Sequence, residues 1–456
     1  DRGAQPTVPV EIELPKTDEE IAFLPVYQLS RLVQTQKLTS TRLTKIYLER
    51  LKRYDDKLKC VVTLTEELAL KQAAKADREI QSGVSRGALH GIPWGAKDLI
   101  AVEGYPTTWG IPNCKDRELP YTATVAKRLE EAGAVLVAKL SLGALAQGDK
   151  WFGGMTRSPW NPEIGSSGSS AGSASATVAG LVGFALGSET LGSILSPSIR
   201  CGASSLRPTF GRISRDGCMP LSWTLDKIGP LCRSIEDCAL VFDAIHGADQ
   251  SDLTTGSYPF QWPSQQSLEG IKVGYSKSRR TKDEDREDLK ILKGLGCELV
   301  ELELPNQIPL GALTSIISVE AASVFDELLR DGHTEGWNTW DEDFRAANYV
   351  SAVDYVRIQR ARTLLMKHFD EMMSKVDFLI NMNDLVHTNF TGHPSVVMPT
   401  GYVDVRERRE TNGNANDSKA DKNGDSAGKA PQVKRKRVRA TVITGHLNAD
   451  ERLLAF

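Results

Sequence analysis

The sequence predicts an α/β protein, a single domain built on a large central mixed β-sheet with helices on both faces. Three observations carry that expectation. Runs of buried-strand character such as AVLVAKL alternate with helical runs such as TATVAKRLEE. The 456 residues are 40% hydrophobic and 25% charged, which suits a globular enzyme with a substantial core. The small-residue tract GSSGSSAGSASA leads straight into an alanine-rich helical pattern, so it belongs to the fold and is not a linker.

The elements follow in chain order. LTSTRLTKIYLERLKRYD carries Leu43, Ile46, Tyr47 and Leu51 at helical spacing behind Thr39 or Ser40 as cap, and VVTLT after it reads as a strand. In TATVAKRLEEAGAVLVAKL a helix ends at Gly133 and a buried strand covers residues 134–140. Beyond the serine tract, residues 174–181 read as a small-residue helix, GFALG as a short strand, SIEDCALVFDAIHG as a capped helix and IKVGYS as a strand. Residues 352–375 form a long helical pattern, and VDFLINM, PSVVMPTG and RVRATVITG read as strands. The domain is expected to span 1–456 with its core at about 24–447. Residues 406–437, RERRETNGNANDSKADKNGDSAGKAPQVKRKR, are nearly devoid of apolar side chains and are expected to be a disordered insertion joining two adjacent strands. The basic end of that insertion is read as a solvated charge run.

Composition also excludes partners. A formal net charge of -3 gives no attraction to nucleic acid. The longest mild apolar stretch, residues 176–186, falls short of the roughly 18 residues a membrane span needs. Seven scattered cysteines, odd in number, point to small core residues, and no His or Cys cluster has zinc spacing. The expectation is no metal and no cofactor. The chain starts at Asp1 without Met, so the expected location is open: cytoplasmic, or periplasmic or secreted if a leader was removed.

Two readings of the serine tract fail. A phosphate-cradling loop needs Gly-Lys-Ser/Thr, and no lysine lies between Trp151 and Lys227. Gly168-Ser169-Ser170-Ala171-Gly172 matches the G-x-S-x-G elbow centred on Ser170. That elbow follows a hydrophobic strand, whereas here SPWNPEIGSS precedes it, so the match is read as accidental.

The whole constellation says more. GIPWGAKDLIAVEGYPTTWG contains Lys97, GSSGSSAGSASA follows about seventy residues later, and GSETLGSILSPS places Ser193 twenty-four positions beyond Ser169. With CGASSLRPTFGRISRDGCMPLSWTLDKIGPLCRSIEDCALVFDAI and NFTGHPSVVMPTG, the sequence resembles the amidase signature family, hydrolases with a Ser-Ser-Lys triad. The resemblance covers most of residues 24–447. It implies Ser193 as nucleophile, Ser169 as bridging serine after a cis peptide bond, Lys97 as base, and backbone oxyanion donors at Thr190, Leu191 and Gly192.

A lysine serves as base only when neutral, so Lys97 is expected to be buried or to stand beside positive charge, with neighbouring Asp98 pointing away or paired elsewhere. The family pattern has Gly or Asp at Leu191 and often Arg at Leu195; the second departure argues against an anionic substrate group. The family also usually continues a helix past ADERLLAF, so the C-terminus is expected to be truncated. His393 is expected to be structural. Trp109, Trp151, Phe152, Met155, Trp160 and Trp223 flank the motifs and favour an apolar or aromatic pocket.

The implied activity is hydrolysis of small linear carboxylic amides, with esters and carbamates as further substrates, by a monomer or homodimer. The alternatives are the glutaminase subunit of a tRNA-dependent amidotransferase and an inactive binding protein of the same fold.

Overall fold

Runs of aliphatic residues buried on both sides supply the strands of one sheet, and this burial dictates the layers above and below it. The computed structural model describes residues 12–263, 267–277, 282–404 and 436–456. Its 11-stranded sheet consists of β1 (Val61–Leu64), β2 (Pro93–Lys97), β3 (Val135–Leu140), β4 (Phe184–Glu189), β5 (Ser204–Arg207), β6 (Lys227–Cys232), β7 (Lys272–Tyr275), β8 (Glu298–Glu301), β9 (Phe378–Ile380), β10 (Ser395–Asp404) and β11 (Lys436–Thr444). Their spatial order is β1-β3-β2-β4-β6-β5-β10-β11-β9-β7-β8. Parallel pairs at β3-β2-β4 and β9-β7-β8 flank an antiparallel middle, so the described residues form one mixed-sheet α/β domain.

Alternation along the strands assigns the two faces. In β3, Leu136 joins one apolar cluster while Val135 and Val137 join another; in β4, Phe184 and Leu186 face the first and Ala185 the second. The helices Thr124–Glu131 and Ile235–Ile245 supply side chains to the first cluster. Ala69 and Ala73 of the helix Glu66–Gln81, with Ala176 of the helix Ala171–Val178, supply the second. The helix Ser40–Leu58 serves both, with Leu43 and Ile46 in one cluster and Leu51 in the other.

Several expected boundaries move. The small-residue helix covers Ala171–Val178, three residues earlier than the apolar pattern implies, because its buried face is lined by Gly172, Ser173 and Ser175 as well as alanine. The GFALG strand extends to Glu189. Of the segment expected to be an insertion, residues 406–435 lie outside the described residues, whereas Lys436 and Arg437 belong to β11 and pair with Asp404 and Val403. Their side chains project into solvent at the strand end, which is why composition alone assigns them to a loop.

Candidate active site

Lys97 is the last residue of β2, and Ser188 and Glu189 end β4, its parallel neighbour. Parallel neighbours end on the same side of a sheet, so these side chains meet at the carboxyl edge, where open α/β sheets place ligands. The serine loop arrives at the same edge. Gly165 and Gly168 allow it to pass close to the chain before it: a Cβ on Gly168 would stand 1.8 Å from the Gly148 carbonyl oxygen. Asp149 also fixes the loop by accepting from Ser167 N at 2.9 Å. The Gly168–Ser169 peptide bond is cis, as the family resemblance implies.

The Lys97 side chain is wholly buried. Its amine nitrogen lies 2.7 Å from Ser169 Oγ, 3.2 Å from Ser170 Oγ, 2.8 Å from Ser188 Oγ and 3.3 Å from Ser188 O. A neutral amine donates twice and accepts once, which these hydroxyls can satisfy because each both donates and accepts. Burial lowers the lysine to about 7, while the carboxylates of Asp226 and Glu189 act in the opposite direction. Asp98 turns away from Lys97. It pairs with Lys139 at 2.7 Å and accepts from the Thr108 N–H at 2.9 Å and from its hydroxyl.

The two serines Ser170 and Ser193 differ in access and in commitments. Ser170 Oγ is fully buried, donates to Ser188 O at 3.0 Å and accepts from Ser188 N at 3.1 Å. Ser193 is half-buried, and its carbonyl accepts from Ser170 N at 3.0 Å, so its segment lies directly against the serine loop. Among the described residues, the N–H groups of Thr190, Leu191 and Gly192 have no partner. The turn that presents them has Gly192 at φ 86°, a backbone conformation other residues adopt only with strain.

Buried charges hold this turn. Glu189 accepts from Ile194 N at 2.8 Å, Leu195 N at 2.9 Å and Asn389 Nδ2 at 2.8 Å, and pairs with Arg207 at 2.9 Å. Burial opposes its ionisation, but the charges of Arg207 and Lys227 and these donors prevail, holding the carboxyl below its ordinary range. On the other side, Asp226 accepts from Thr190 Oγ1 at 2.5 Å and from the N–H groups of Leu221 and Ser222 at 2.7 and 2.9 Å. None of Ser188, Glu189, Arg207, Asp226 or Asn389 stands out from sequence. The available signals are carboxylates inside otherwise apolar strand segments, at Glu189 and beside β6 at Asp226.

A cavity of about 430 Å³ opens beside Ser188, Thr190 and Asp226. Of the aromatic residues and methionine expected near it, Trp223 lines it and is 63% exposed. Trp109 instead lies under the Arg117 guanidinium at 3.6 Å, Trp151 packs on Phe152 and Trp160 on Tyr402. His393 is buried against Phe369, bonds to Thr391 Oγ1 at 2.8 Å, and is lowered by burial to about 3, a structural placement.

The chain is 30% identical over 449 residues to a glutamyl-tRNA(Gln) amidotransferase subunit of Thermoanaerobacter pseudethanolicus, covering 84% of this chain and 91% of that one. It is 32% identical over 447 residues to the corresponding protein of Moorella thermoacetica, with the same coverages. The crystal structure of native peptide amidase from Stenotrophomonas maltophilia superimposes with a TM-score of 0.75 at 26% identity, covering 94% of this chain and 96% of that one. The model of the amidase family matches residues 42–382, a stretch that includes Lys97 and the serine loop with Ser193, and the chain accordingly belongs to that family of amidohydrolases acting on amide C–N bonds.

Proposed function

We propose that this protein hydrolyses small linear carboxylic amides through an acyl-enzyme on Ser193. The observation that carries this reading is the buried lysine, lowered to about 7 and 2.7 Å from Ser169 Oγ, beside a partly exposed Ser193. Neutral Lys97 takes the Ser169 proton as Ser169 takes the Ser193 proton, and Ser193 Oγ attacks the amide carbon. The N–H groups of Thr190, Leu191 and Gly192 receive the oxyanion, each worth about 3 to 4 kcal/mol in systems of this kind. The relay then returns a proton to the departing amine, and water repeats the sequence to release the acid. Esters and carbamates fit the same steps.

The curated relatives favour a second reading, glutamine hydrolysis for a partner amidotransferase, because they are amidotransferase subunits aligned over most of this chain. The cavity wall and Leu195 favour the first. A hydrolysis screen of anilides, fatty amides, peptide amides, carbamates and glutamine decides between them. Turnover of apolar amides with little on glutamine supports the proposal, and glutamine alone as substrate would replace it with the second reading.

A further inference from the structure

The wall of the cavity beside Thr190 is apolar in part, through Leu99, Met219, Leu221 and Ile228, but its charges are unbalanced. Arg215 is the one cationic side chain on it among the described residues. Its guanidinium is already engaged. Nε and Nη2 donate to Asp252 at 3.0 and 3.2 Å, Nη2 to Thr254 Oγ1 at 2.8 Å, and Nη1 to Trp223 O at 2.7 Å. Arg215 is therefore a strut between two wall loops, and Asp252 cancels its charge. Asp226 is occupied by Thr190, Leu221 and Ser222.

Asp216 differs from both. It is half-buried on the same wall, and a single side-chain donor, Thr124 Oγ1 at 3.2 Å, reaches its Oδ2. No positive charge pairs with it among the described residues. Cys218 lies two residues on: burial first, then the Asp216 carboxylate, push its thiol up to about 12, with Arg215 acting in the opposite direction. A ligand carboxylate entering here meets no free cation and loses its hydration, whereas an ammonium meets an uncompensated carboxylate.

We propose that this cavity selects substrates by charge, accepting amides whose apolar stem ends in an ammonium or similar donor and rejecting those ending in a carboxylate, with Asp216 as the residue that sets the preference. The proposal rests on the amide-hydrolysing reading above and narrows its substrate class.

Three amides of equal length test it: 6-aminohexanamide, hexanamide and the monoamide of adipic acid. The expected ratio of kcat/KM for the ammonium over the carboxylate compound is about tenfold or more, from one unscreened charge at a half-buried site. Asp216→Asn should shrink that ratio by at least about fivefold. Equal or better turnover of the carboxylate compound overturns the proposal, as does an unchanged ratio in an Asp216→Asn protein that melts with the parent. Calorimetric binding of hexylammonium and hexanoate to the parent protein supplies a readout that needs neither variant nor turnover. Tighter hexylammonium binding supports the proposal and tighter hexanoate binding overturns it. If none of the three amides nor any in the wider screen is hydrolysed, the amidase reading of this site fails, while the calorimetry still decides the charge preference.

Discussion

As the proposed base, Lys97 depends on burial, which favours its neutral form. With its value at about 7, the amine is largely protonated below neutrality and largely free above it. The expected pH–rate profile is therefore a kcat/KM that rises with pH on one ionisation near 7 and levels off in alkaline solution. Lys97→Ala should remove most amide turnover. Lys97→Arg should not restore it, since guanidinium keeps its proton at any usable pH. Ester hydrolysis should fall less, because an alcohol leaves more readily than an amine without a proton. Near-normal amide turnover in either variant would contradict this role. Lys97, Ser169 and Ser193 are legible in the sequence because they sit in three ordered motifs. Ser188, Glu189 and Asp226 are not, since their importance comes from neighbours supplied by distant segments such as Arg207 and Asn389.

The helix Ala171–Val178 illustrates the element scale. Its small residues let it lie against the chain beneath, and a Cβ on Gly172 would stand 2.5 Å from both Cys60 O and Ser141 N. Backbone cannot move aside as a side chain can. Gly172→Ala should destabilise the protein by about 1 to 3 kcal/mol, measured by denaturant unfolding, with a loss of activity as the serine loop preceding the helix shifts. Unchanged stability would show that the contact relaxes freely. The existence of this helix is legible from its composition, but its start is not. Serine and glycine normally signal a loop, and here tertiary contact buries them in a helix. The helix Ser40–Leu58, by contrast, is legible at its start to within a residue, because Thr39 caps it and accepts from Arg42 N at 3.1 Å.

For the molecule as a whole, alternating helical and strand patterns suffice for an α/β sheet covered on both faces, yet not for its order. Pairings such as β5 with β10, Leu206 against Val396, join residues far apart in sequence, and local pattern does not encode them. The β10–β11 pairing brings Asp404 opposite Lys436, so a short turn can join the two strands. Replacing residues 405–435 with such a turn, while keeping Lys436 and Arg437, should leave turnover and melting temperature nearly unchanged. A collapse of either would assign that segment a part in folding or catalysis. Covalent labelling with a fluorophosphonate followed by peptide mass spectrometry tests the proposed acyl-enzyme on Ser193. The label is expected on Ser193, lost in Ser193→Ala and retained in Ser170→Ala; a label on Ser170 that survives Ser193→Ala would contradict the proposed nucleophile.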